Sequence, residues 1–193
     1  VYRASRAARP VTDELVLPCY AKVNLFLRVL AREADGYHSI ETLFSRIALH
    51  DTLEIRRTSS GISLEVSGAS LGPVEENLAW RAAEAVLAAT GRRFGVAMRL
   101  TKRIPAGGGL GGGSSDAAQA LLGVNALADQ RVPAAELLNL GARLGSDVPF
   151  FLTGAELALA WGRGQRLLKL APLPSRPALL LRPPFGVATA EAY

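Results

Sequence analysis

The chain has 193 residues, 49% of them hydrophobic, and a net charge of +5 from 22 basic and 17 acidic side chains. That length suits one full domain and part of another, and no apolar run reaches the roughly 18 residues of a membrane-spanning helix. No signal-peptide core is read, and the lone Cys19 excludes an internal disulfide framework and suits a reducing cytoplasm.

Residues 1–14 open with Arg3, Arg6 and Arg9 and no acid before Asp13. A disordered start is expected there in preference to a nucleic-acid arm. Leu15–Leu30 reads as extended, alternating at Val23, Leu25, Leu27 and Val29. Ala34-Asp35-Gly36 is a turn signal. Ser39–Leu49, Thr52–Thr58 and Ile62–Ser67 read as three further strands, ended by Asp51, Gly61 and Gly68. Asn77–Thr90 carries a helical pattern stopped by Gly91. A strand through Val96, Met98 and Leu100 leads into a glycine run, and a helix is predicted over 114–128. Pro133 starts a helix over Ala134–Leu144, ended by Gly145. Val148–Leu152 and Leu157–Trp161 read as extended. Pro172, Pro174 and Pro177 mark a linker, followed by a strand at Ala178–Leu181 and the start of a helix at Thr189–Tyr193. Strands first and helices later is an α+β pattern. One domain is expected over 15–172, with 173–193 opening a second.

The glycine run is the strongest signal. Six of the seven residues from Gly107 to Gly113 are glycine. Each costs about 0.5–1 kcal/mol relative to Ala in a regular element, so the cluster serves a backbone shape. Ser114 and Ser115 stand where N-caps belong. A strand, a glycine loop and a capped helix make a phosphate site, because free N–H groups and a positive dipole end converge. A Walker A loop needs Gly-Lys-Ser/Thr at its end, and no lysine lies here. A dinucleotide fingerprint needs a second strand ending in an acid, whereas Pro133 opens another helix. Protein-kinase motifs are absent.

Lys102-Arg103-Ile104-Pro105 running into the glycines and Ser114-Ser115-Asp116-Ala117-Ala118 resembles the second motif of the GHMP kinases, the galacto-, homoserine, mevalonate and phosphomevalonate kinases. Ala21–Leu27, Asp35–Thr42 and Leu144–Phe151 resemble the amino-terminal and catalytic segments of one branch. That branch phosphorylates a cytidine diphosphate-linked alcohol in non-mevalonate isoprenoid synthesis. The similarity runs from about Ala21 to Tyr193. It implies the α+β amino-terminal domain of the GHMP kinases, a fold also found in ribosomal and translation proteins, and then only the start of a ferredoxin-like second domain.

The resemblance also implies an ATP- and Mg²⁺-dependent kinase acting on a small molecule, with no nucleic-acid or membrane partner, as a monomer or homodimer. The ATP clamp would be Pro105, Ala106, Gly107, Gly108, Gly109, Leu110, Gly111, Gly112, Gly113, Ser114 and Ser115. Ser114 or Ser115 would cap the helix, reach a phosphate oxygen, or both, with Ser115 the candidate Mg²⁺ contact. Asn77 and Lys102 match positions near the adenine. Asp147 matches the catalytic base, and Lys22 its charged partner. On residues alone, Asp147 also suits a turn Asp bonding its own backbone, and Lys22 an exposed strand face. Asn24, Tyr37 and His38 match substrate-holding positions, and Tyr193 could stack on the cytosine. Gly111→Val is expected to weaken ATP binding while the fold survives. Cys19 and His50 read as structural, and no zinc-ligand spacing occurs. The rivals are another GHMP kinase, of homoserine or mevalonate type, and a non-catalytic nucleotide- or RNA-binding module.

Overall fold

Two long strands, β1 (Glu14–Arg32) and β2 (His38–Thr58), form the spine of the domain. The computed structural model describes residues 13–32, 38–68 and 72–181, and the side chains of Arg32 and His38 lie outside that description. β2 pairs with β1 along one edge. On its other edge, its first part pairs with β5 (Leu157–Gly162) and its last part with β4 (Gly95–Thr101). β3 (Ile62–Ser67) runs parallel to β4, and β6 (Arg166–Leu170) antiparallel to β5. Parallel neighbours need a crossover, and α1 (Leu78–Ala89) supplies it between β3 and β4.

Local chemistry explains these elements. The Asn77 side chain accepts from the Ala79 amide at 2.9 Å and caps α1. Ala79, Ala82, Ala83, Val86 and Leu87 then recur on one buried face. α2 (Gly112–Leu127) is buried on most sides and lies against β1, β2 and the helices α1, α3 (Ala134–Leu144) and α4 (Val148–Leu152). A Cβ on Gly123 would sit 2.5 Å from Ile55 Cδ1 and 2.8 Å from Leu17 Cδ1, so glycine is what lets α2 approach the sheet. The main core joins Phe44, Leu53, Ile55, Leu121 and Phe150 between sheet and helices.

The α+β class stands, with four differences in detail. First, β2 is one continuous strand, because Asp51 does not end it. Asp51 is fully buried and hydrogen-bonded inside the ladder's register. Second, Val148–Leu152 is a short helix and not a strand; five apolar residues suit either state, and Pro149 in its first turn tips it helical. Third, β6 forms where the sequence carries no clear strand signal, and no strand forms at Ala178–Leu181, where 171–181 has no regular structure. Finally, α2 begins at Gly112 with Gly111 as its N-cap, so Ser114 and Ser115 lie inside the first turn. The expected helix at Thr189–Tyr193 falls outside the described residues.

Candidate active site

Two irregularities in β1 place the groups of interest. The β1–β2 register slips between Tyr20 and Lys22 and again between Asn24 and Phe26. Such bulges free backbone groups from the ladder and re-aim side chains. At the first, the Lys22 amide donates to the Leu110 carbonyl in the glycine loop at 2.9 Å. At the second, the Phe26 carbonyl accepts from the Thr42 hydroxyl at 2.6 Å. Lys22 is only 5% exposed, so it does not sit on a solvated strand face. Its Nζ donates to Asn24 Oδ1 at 2.8 Å and lies 3.4 Å from Asp147 Oδ2, over the Phe44 ring at 5.0 Å.

Asp147 stands at the turn between α3 and α4. It occupies the N-cap position of α4, yet its side chain makes no capping bond. The turn-Asp alternative therefore has no hydrogen bond to rest on. The carboxylate side chain is 29% exposed, open to solvent beside the buried ammonium. A group that takes a proton has to be reachable by it, and the Asp147 carboxylate is reachable.

The glycine loop closes the third side. Gly107, Gly109 and Gly111 have φ of +71°, +66° and +70°, a left-handed backbone that favours glycine. Leu110, the single large residue in the run, packs with Ala21 and Ile104 in a small second core. Burying it stabilises the anchored loop by about 1.5–3 kcal/mol. A Cβ on Gly111 would lie 3.0 Å from the Phe151 ring and 3.2 Å from Lys22 Cγ. The loop thus touches both β1 and α4, and the three sequence motifs meet at Gly111. The amides of Gly107 and of Gly109 to Ser114 have no hydrogen-bond partner among the described residues. They border a cleft of about 340 Å³ shared with Leu78, Lys102 and Ile104. Unpaired amides at a helix N-terminus attract anions.

Other expected contacts sit elsewhere. Ser115 is fully buried, and its Oγ finds no partner among the described residues. No group of three or more His, Cys, Asp or Glu side chains able to hold a metal occurs among the described residues. Ser114 lies on the α3–α4 side, its Oγ 3.6 Å from where a Gly145 Cβ would be. The Asn77 side-chain carbonyl oxygen is taken up in capping α1. Asn24 bridges Lys22 and Thr42, its Nδ2 donating to Thr42 Oγ1 at 2.7 Å. Tyr37, the His38 side chain and Tyr193 lie outside the described residues.

Lys102 differs most from expectation. Its ammonium is buried beneath the first turn of α2 and bonded to both Asp51 and Asp116. Asp51 also accepts from the Arg103 amide and, at 2.8 Å, from the Ile104 amide. The triad ties the loop's entry at 102–104 to its exit at Asp116. Burial alone would lower the Lys102 pKa, but Asp116 and then Asp51 outweigh it and hold it above the ordinary lysine value. Burial pushes Asp116 up to about 6, against the pull of Lys102. Asp116 Oδ1 is buried without a hydrogen-bond partner among the described residues. Burial, with Asp116 nearby, also pushes the Cys19 thiol well up, which fits an inert core residue. Sequence reasoning missed Asp51, Asp116 and Thr42 as site residues. The available signal was a polar side chain among the apolar positions of a strand or close to the start of a helix.

Residues 77–155 match the family model described as the GHMP kinases N terminal domain. The fold is that of the GHMP kinase amino-terminal domain, as the three motifs implied. The chain is similar to the 4-diphosphocytidyl-2-C-methyl-D-erythritol kinase of Pelotomaculum thermopropionicum, 52% identical over 174 residues, which cover 90% of this chain and 60% of that protein. The enzyme of the same name from Moorella thermoacetica is 48% identical over 181 residues, covering 94% of this chain and 63% of the other. A crystal structure of 4-(cytidine 5'-diphospho)-2C-methyl-D-erythritol kinase superposes with a TM-score of 0.73 at 48% identity, covering 83% of this chain and 56% of that one. The chain therefore spans about 60% of the length of the curated relatives it matches.

Proposed function

We propose that this chain is the ATP-binding part of a small-molecule kinase. It would transfer the γ-phosphoryl group of ATP to the 2-hydroxyl of 4-diphosphocytidyl-2-C-methyl-D-erythritol, in the non-mevalonate route to isoprenoids. The carrying observation is the buried Lys22, its ammonium 3.4 Å from the open Asp147 carboxylate and its Cγ packed against Gly111 of the glycine loop. Phosphoryl transfer needs a triphosphate clamp, positive charge at the reacting group and a proton acceptor. The loop amides and the N-terminus of α2 clamp the phosphates. Asp147 takes the proton of the acceptor hydroxyl as its oxygen bonds to the γ-phosphorus and the bond to the β-phosphate bridging oxygen breaks. Lys22 holds positive charge beside the reacting oxygens. Mg²⁺ would neutralise phosphate charge, carried largely by the phosphates themselves. Asn24 serves chiefly to hold Lys22. Residues from 173 onward would open the second domain, with Tyr37, His38 and Tyr193 on the cytidine side.

The test is turnover by the full-length enzyme with the cytidyl alcohol, homoserine and mevalonate as acceptors. Product is expected with the cytidyl alcohol alone. Preference for an acceptor without cytidine would overturn the substrate assignment and leave the ATP site standing. His38→Ala should cost about tenfold to a hundredfold in kcat/KM for the cytidyl substrate, the value of one hydrogen bond to a neutral partner.

The glycine loop gives a further expected result. Gly111→Val is unsuited to probing phosphate space, because its side chain would strike Phe151 and Lys22 on a left-handed backbone. It should lower thermal stability as well as binding. Gly108→Ala and Gly113→Ala suit better: each new Cβ has no neighbour nearer than 3.6 Å and neither glycine has positive φ. Both should weaken ATP binding by about tenfold, roughly 1.4 kcal/mol, with no loss of thermal stability. Calorimetric titration showing parental affinity in both would remove the loop from the phosphate site.

A further inference from the structure

Thr42 belongs to no motif that carried the functional reading beyond the edge of one, yet it is fully buried in the central strand β2, with β1 on one side and β5 on the other. Its hydroxyl makes two short hydrogen bonds whose directions are fixed by chemistry. The Phe26 carbonyl can only accept, so the Thr42 proton goes to it, at 2.6 Å. The Thr42 oxygen is left as an acceptor, and the group 2.7 Å from it must donate. That group is therefore the Asn24 Nδ2, and the amide cannot be turned the other way. The Asn24 side-chain carbonyl oxygen must then face Lys22, whose Nζ donates to it at 2.8 Å. A flipped Asn24 would set an NH₂ group against an ammonium, donor against donor.

We propose that Thr42 is a positioning residue of the phosphoryl-transfer site: through Phe26 and Asn24 it fixes the Lys22 ammonium beside Asp147. The inference rests on the kinase reading above. The β1 bulge at Asn24–Phe26 has a use in this view, since it releases the Phe26 carbonyl that orients the hydroxyl. Thr42 touches neither Lys22 nor Asp147 by any hydrogen bond, so its effect must travel through Asn24.

The test uses full-length enzyme carrying Thr42→Val, which keeps the shape and removes the hydroxyl, and Thr42→Ser, which keeps the hydroxyl. Thr42→Val should lower kcat about tenfold, the value of one orienting hydrogen bond, with KM for ATP unchanged. Thr42→Ser should retain most of the activity. On an Asn24→Ala background, Thr42→Val should cost nothing more, because the relay is already cut. If Thr42→Val does not fold, Thr42→Ala against Thr42→Ser carries the same comparison, both having lost the methyl group. Parental kcat in Thr42→Val, equal losses in the serine and hydroxyl-free variants, or full additivity with Asn24→Ala would each overturn the role. A parent enzyme that phosphorylates no acceptor would instead overturn the kinase reading on which it rests.

Discussion

Asp147→Asn in the full-length enzyme is expected to reduce kcat by about 10²–10⁴-fold, the usual contribution of a positioned general base. The amide is isosteric but cannot take the acceptor proton. Lys22 keeps its bond to Asn24 but loses the charge of Asp147, so some loss of stability is expected beside the kinetic effect. Affinity for ATP should stay within about twofold, because Asp147 is not part of the glycine loop and the clamp is untouched. Lys22→Met should also depress kcat. The carboxylate it leaves behind is partly solvated, so the fold should survive the change. Two groups acting as one unit show non-additive losses, and the double variant should be little worse than the more damaged single one. Rapid-quench measurement of the chemical step, alongside equilibrium ATP binding, separates these effects. A chemical step in Asp147→Asn within tenfold of the parent would remove Asp147 as the base.

Much of this arrangement is legible in the amino-acid sequence. The spacing of Ala79, Ala82, Ala83, Val86 and Leu87 marks a helix, and so does Pro133 before Ala134–Leu144. The glycine run declares a special backbone wherever it occurs. Lys22 and Asp147 stand out only through resemblance. By itself, a lysine in a strand suits solvent, and an aspartate after Gly-Ser suits a turn. What stays hidden depends on long-range pairing. Asp51 reads as a strand end because an isolated carboxylate is expensive inside a sheet. It is tolerated there because Lys102 and the Arg103 and Ile104 amides, about fifty residues away, meet it. Thr42 looks like an ordinary strand residue until the bulge opposite shows where its hydroxyl points. The Val148–Leu152 helix is hard to read for another reason: a short apolar run carries no period of its own, and only Pro149 in the first turn and packing against α2 and α3 decide its state.

Lys102→Met should destabilise the domain by about 3–5 kcal/mol near neutral pH, the usual result of removing one partner from a buried ionic group. Two carboxylates, Asp51 and Asp116, would then face each other without the ammonium that joins them. The deficit should shrink on acidification, as the stranded carboxylates take up protons and lose their charge. Asp116→Asn should behave in the opposite way. In the parent, the folded-state pKa of Asp116 is raised to about 6 from an ordinary 3.8. The native state therefore binds more protons than the unfolded one between about pH 4 and 6. The contribution of this group to stability is present below that window and lost as pH rises through it. A shift of about two units corresponds to roughly 3 kcal/mol. Asparagine mimics the neutral carboxyl, and Asp51 still satisfies the Lys102 charge. Asp116→Asn should therefore be at least as stable as the parent at pH 8 and show a flatter stability profile between pH 4 and 6. Urea unfolding of the parent and both variants across pH 4–8 gives the comparison. If Asp116→Asn loses several kcal/mol at pH 8, the Asp116 carboxyl is not raised by its burial; if Lys102→Met is as stable there as the parent, the triad does not hold the two ends of the glycine loop.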